Sequence, residues 1–110
     1  MTDREERLAL NEVAFRDVNE RVAEQVEDVA GTHASFNVLC ECSSTGCALR
    51  IPITPAEYKS IHADATQFIV VAGHANPEIE DIVDGTGTTR YDIVRKRGDA
   101  ATVARQADES

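Results

Sequence analysis

FNVLCECSSTGCALRIPI, residues 36–53, decides how this chain is read. All three cysteines of the 110-residue sequence, Cys40, Cys42 and Cys47, fall inside it. Its flanks, FNVLC and CALRIPI, are short apolar runs of strand type. Between them ECSSTG is turn-forming: serine and threonine hydroxyls bond to nearby backbone, and Gly46 reaches conformations that other residues resist. The stretch therefore predicts a β-hairpin with the cysteines at its tip. On an extended strand alternate side chains share a face. The sulfurs of Cys40 and Cys42 thus point one way and Glu41 the other, while Cys47 arrives from the opposite limb. Three sulfurs converge on one point, where turn hydroxyls and amides can donate to thiolates.

Zinc binds sulfur at about 2.3 Å and takes four tetrahedral ligands in structural sites. No fourth cysteine exists, so the last ligand must be one of the three histidines. His74 follows FIVVAG, the end of the most apolar run, with Gly73 giving it room to turn, and it ranks first. His62, in a helical stretch after Ile61, ranks second. His33 lies upstream of Cys40 by about 23 Å of extended chain, so it would have to fold back, and it ranks third. The expected set is Cys40, Cys42, Cys47 and His74 around a structural zinc ion. The competing reading makes the cysteines small apolar core residues, but two of them sit in a polar turn.

Working outward, residues 2–30 read as one long helix without Pro or Gly, about 40 Å long. Thr2 or Asp3 can cap it, with acids in the first turn where the dipole favours them. Leu8, Phe15, Val18, Val22, Val26 and Val29 form its apolar stripe. Glu12 with Arg16 and Asp17 with Arg21 look like solvated pairs one turn apart. After the hairpin, TPAEYKSIHAD opens with a capping box, Thr54 and Glu57, and with Pro55 at the first helical position. QFIVVAG reads as the central strand. NPEIEDIVDG reads as a short helix capped by Asn76 and ended by Gly85, with Glu78, Glu80, Asp81 and Asp84 on its wet side. RYDIVRKR alternates as a half-exposed strand with Tyr91 and Ile93 inward. GDAATVARQADES is a weak helix that unravels near Ala107. The expected architecture is α+β: a long N-terminal helix, a small, mostly antiparallel sheet with a zinc-knuckle-like hairpin, and short helices between strands. It divides into the helix (1–30), a zinc-stabilised core (34–97) and a weak terminal helix or tail (98–110), one domain overall.

Twenty acidic against eleven basic side chains give a formal net charge of −9. Such a field repels phosphate backbones and anionic membranes, so neither nucleic acid nor membrane is an expected partner. No run approaches the ~20 apolar residues of a membrane span, and MTDREERLAL lacks the apolar centre of a signal peptide. A cytoplasmic location follows, where crowded thiols serve as metal ligands or redox groups rather than as disulfides. Aromatics are only 5% and Trp is absent, so the core rests on aliphatic side chains and gains from a metal staple. DGTGTTR lacks the lysine of a phosphate loop, and neither HExxH nor a deaminase pattern occurs. Four protein ligands leave a zinc ion no open position, so no enzymatic activity is expected.

Four stretches together, FRDVNER, FNVLCECSSTGC, IPITPAEYKSIHADATQFIVVAGHANPEIEDIV and YDIVRK, resemble a family of small actinobacterial proteins of uncharacterised function. CEC and GH are the most specific parts of the likeness. The resemblance implies Cys40, Cys42, Cys47 and His74 as the metal ligands. His62 falls where that family more often has Arg, and the tail departs from the family ending. No activity comes with the family. The expected function is a structural-zinc module for protein interaction or regulation, meeting a protein partner or a second copy through the N-terminal helix. The alternatives are a thiol-based redox or metal sensor and, last, an enzyme with an open metal site.

Overall fold

The computed structural model describes residues 3–42, 44, 47–84 and 91–109. Helix α1, Asp3–Ala30, has 28 residues, about 42 Å at 1.5 Å each. That equals the longest dimension of the molecule, 42 Å, so α1 spans its own fold from end to end. Asp3, Glu5 and Glu6 occupy its first turn. Gly31 stops it, with φ at +94° and its N–H on the carbonyl of Glu27 at 3.0 Å, the glycine closure that side-chain-bearing residues resist. Thr2, the other candidate cap, lies outside the described residues.

Which face of α1 turns inward corrects the sequence expectation. The buried stripe is Ala9, Glu12, Val13, Arg16, Asn19 and Ala23. It lies about a third of a turn from the row of Phe15, Val18, Val22 and Val29 at 3.6 residues per turn. Glu12 and Arg16, expected on the wet side, are fully buried. Each of these three side chains, Glu12, Arg16 and Asn19, has a partner, which is the condition for burying one. Asn19 donates to the carbonyl of Leu39 at 2.9 Å and accepts from its N–H at 2.8 Å. The Arg16 guanidinium donates to the carbonyls of Ala65 at 2.8 Å and Ala104 at 3.2 Å. Glu12 pairs with Lys96.

The hairpin forms as read: β1 (Phe36–Leu39) pairs antiparallel with β2 (Arg50–Ile53), Phe36 opposite Ile53. Helix α2, Pro55–Ile61, carries the full capping box of Thr54 and Glu57. The second sheet holds β3 (Gln67–Val71), β4 (Glu80–Asp84) and β5 (Tyr91–Lys96) in the order β3-β5-β4, all antiparallel. The centre of that sheet is therefore β5 and not β3, although Phe68, Ile69 and Val70 of β3 are fully buried.

NPEIEDIVDG is not a helix. Asn76 starts one turn: its carbonyl accepts from the N–H groups of Ile79 and Glu80 at 3.2 and 3.1 Å, and its Oδ1 from that of Glu78 at 3.0 Å. The chain then extends as β4, because pairing with β5 satisfies the backbone and buries Ile79 and Glu80. Gly85 and the DGTGTTR residues 85–90 lie outside the described residues.

The phase of β5 is also the reverse of that expected: Asp92, Val94 and Lys96 are buried, Tyr91 and Ile93 partly so. Lys96 reaches both Glu12 and Glu80. Its amine and the guanidinium of Arg16 sit 4.6 and 4.8 Å from the ring centre of Phe68. Burial pushes the Glu80 carboxyl up to about 7. The terminal segment is no tail: α3, Gly98–Glu109, is helical throughout and buries Ala100, Ala101 and Ala104. No helix among the described residues is long and apolar enough to cross a membrane.

Candidate metal centre

Cys40 follows β1 directly and continues its pairing, with its N–H on the carbonyl of Leu49 at 3.0 Å. One residue later the strand changes partner. The N–H of Glu41 donates to the carbonyl of Ile69 at 2.8 Å, which stitches the cysteine loop to β3. The N–H of Val71 in turn donates to the Cys40 sulfur at 3.1 Å. On the far limb the N–H of Cys47 closes a turn onto the carbonyl of Ser44 at 3.2 Å. Ser43, Thr45 and Gly46 of the expected turn lie outside the described residues.

His74 reaches the same place from β3. Gly73, with φ at +88°, reverses the chain, and the N–H of His74 donates back to the carbonyl of Val71 at 2.9 Å. The N–H of Gly73 is fixed by Asp92 Oδ2 at 3.1 Å, which ties this corner to β5. His74 Nδ1 then stands 3.7 Å from the sulfur of Cys40 and 3.7 Å from that of Cys47. The ligand atoms of Cys40, Cys42, Cys47 and His74 all lie within 4.8 Å of one another. Ligands about 2.1–2.3 Å from a tetrahedral ion are separated by about 3.5–3.8 Å. The two histidine–sulfur distances match that edge.

Cys40 and Cys42 are buried, while Cys47 and His74 are partly exposed, so the cluster has a closed side and an open side. Burial pushes the Cys40 thiol up to about 12, against the pull of the Val71 N–H. Burial raises Cys42 as well. A divalent ion reverses that preference by replacing the thiol protons. Chemistry, spacing and burial are compatible with a metal site, and among the described residues no other group of ligand side chains is.

The other two histidines stay apart. His33 is exposed. The His62 side chain, 6% exposed, packs against Tyr58 and Phe68, and its Nε2 lies 2.9 Å from Glu41 Oε1. Glu41 is the residue that sequence reasoning passed over. Its side chain turns away from the sulfurs, as strand alternation requires, but into the interior, where it is fully buried. Oε1 accepts from His62 and from the N–H of Ile69 at 3.0 Å. Oε2 accepts from the Tyr58 hydroxyl at 2.6 Å and from Asn19 Nδ2 at 2.9 Å. Burial first, and then this carboxylate, raise the Tyr58 hydroxyl far above its ordinary range, so it remains a donor. Glu41 thus binds the cysteine loop to α1, α2 and β3 at once. The one sequence mark of this role was the alternation that set Glu41 opposite Cys40 and Cys42. No protein-family model, no curated protein and no solved structure matches the chain.

Proposed function

We propose that the chain is a small structural-zinc module whose folded surface serves protein interaction or regulation. One observation carries the reading. Four ligand atoms from two remote segments, the hairpin tip and the end of β3, converge within 4.8 Å. Three sulfurs and one imidazole are the donor set of structural zinc. Four protein ligands leave the ion no vacant position for a substrate, and both oxygens of nearby Glu41 are occupied by donors, so Glu41 is not free to act as a general base. The proposed role is therefore not enzymatic. A cytoplasmic setting suits free thiols.

The test is elemental analysis of protein purified without added metal, which should give one zinc per chain. Iron in that position would change the metal, and no metal would refute the reading. Apparent zinc-site energies of ~10–16 kcal/mol match or exceed the ~5–15 kcal/mol of a typical fold. Chelation should therefore loosen at least the hairpin.

The half-open geometry favours a second reading, a thiol-based redox or metal sensor. Cys47 and His74 meet solvent while Cys40 and Cys42 do not. Oxidation of a bound thiolate would release the ion and free the loop. Mild peroxide with a zinc-release readout separates the two, since inert thiols exclude the sensor.

A further inference from the structure

We propose that the outward row of α1 is the contact surface for a second copy of this chain, the two helices packing antiparallel. The starting point is a mismatch between pattern and burial. Glu12, Arg16 and Asn19 face the core and are almost wholly buried, whereas Val18, Val22 and Val29 are 46%, 37% and 89% exposed. Phe15, in the same row, is only half buried. A surface helix ordinarily turns its apolar stripe inward. Here the inward positions are taken by polar groups with fixed partners. Rotating the row inward would strip Asn19 from Leu39 and Arg16 from Ala104.

Leu8, Phe15, Val22 and Val29 recur every seventh residue, and Val18 falls three after Phe15, the spacing of a coiled-coil seam. Leu8 packs on its own fold beside Ile79 and Ala100, so the uncovered part runs from Phe15 to Val29. Singly exposed valines are ordinary, but an aligned row is not.

Charge selects the occupant. Arg7 and Asp28, both exposed, each precede a seventh-residue position and line one edge of the row at opposite ends. An antiparallel second copy sets Arg7 of one chain beside Asp28 of the other, twice across the two-fold axis. The last quarter of α1 is acidic through Glu24, Glu27 and Asp28, with no basic residue in its last turn. A parallel pair would stack acid on acid, while an antiparallel one brings that end to Arg7, Arg4 being held by Glu78 of its own chain, and opposes the helix dipoles. This inference names a partner for the interaction module proposed above and rests on that reading for its meaning. The surface itself involves none of the metal ligands.

Light scattering and sedimentation of the full, metal-loaded chain across the micromolar range should give twice the chain mass. Val22→Asp should raise the dimer dissociation constant about a hundredfold, because each change counts twice across the axis, and it should leave bound metal and helical content unaltered. Arg7→Asp should weaken the dimer and Arg7→Asp with Asp28→Arg should restore it. A monomer throughout, a dimer indifferent to Val22→Asp, or a charge reversal that the double exchange does not rescue would each overturn the proposal. Metal content of the same samples keeps the two readings apart. A monomer with stoichiometric metal removes the second copy alone, and a dimer without metal removes the zinc module alone.

Discussion

Replacing Glu41 with alanine is the sharpest test of how the cysteine loop is held. The carboxylate takes four donors in the buried interior: the Tyr58 hydroxyl, Asn19 Nδ2, His62 Nε2 and the N–H of Ile69. Two of these keep another partner when the carboxylate goes. Asn19 still donates to the carbonyl of Leu39, and the Tyr58 hydroxyl still has the carbonyl of Arg16 at 3.3 Å. His62 Nε2 and the N–H of Ile69 are left without one. Two orphaned donors cost about 1–3 kcal/mol each, or about 2–6 kcal/mol together, and the void left by the side chain raises that further. That is a large share of the ~5–15 kcal/mol of an ordinary domain. Glu41→Gln keeps the volume, and the His62 ring can change tautomer to accept from the new amide. The ring proton then moves to Nδ1, which is buried without a partner, so that group and the Ile69 N–H are orphaned at about 1–3 kcal/mol each, with no void added. Urea unfolding of both variants with saturating metal reads these values directly. A loss below about 1 kcal/mol for Glu41→Ala would refute the claim that this carboxylate organises the loop.

Three further outcomes are expected. His74→Ala removes one of four ligands and should weaken zinc binding about a hundredfold, a quarter of a ~10–16 kcal/mol site, in competition with a chromophoric chelator; unaltered affinity would exclude His74 as a ligand. Glu80 has its carboxyl raised from 4.5 to about 7, so folding favours its protonated form. Its contribution is complete below the lower value and fades as pH rises toward the upper one. Glu80→Gln should therefore gain on the wild type through that window, by on the order of 3 kcal/mol in paired unfolding curves, and parallel curves would contradict the assignment. Lys96→Met takes from the buried Glu12 and Glu80 the amine that both meet and should cost about 3–5 kcal/mol in urea unfolding at pH 7, and a loss below about 1 kcal/mol would show that Lys96 does not hold the two carboxyls.

Elements with local signals could be read from the residues. The limits of α1, the hairpin and the Thr54–Glu57 cap each depend on neighbours in sequence, and each stands where the pattern placed it. Elements decided by distant partners could not. Asn76-Pro77 is a sound helix start, yet the chain after it becomes β4 because β5 offers a free edge. The apolar row on α1 was a fair guess at a core face, and its members Leu8 and Val26 do pack on the core, but Val18, Val22 and Val29 stay exposed. It lost to Glu12, Arg16 and Asn19, whose partners lie at Lys96, Ala65, Ala104 and Leu39. The candidate ligands were legible because thiols are rare and their spacing is geometric. Glu41 was not, because one carboxylate between two cysteines carries no mark of the four donors that meet it.

The partners of α1 also set a timetable. Glu12 and Arg16 leave the ribosome well before Lys96 and the carbonyl of Ala104, which pair with them. The nascent helix must keep its polar stripe in water until those residues emerge. The hairpin, α2 and β3 carry the cysteine loop and His74, and they emerge well before that. Native assembly of this fold thus waits for the docking of α3 onto a helix made well before it.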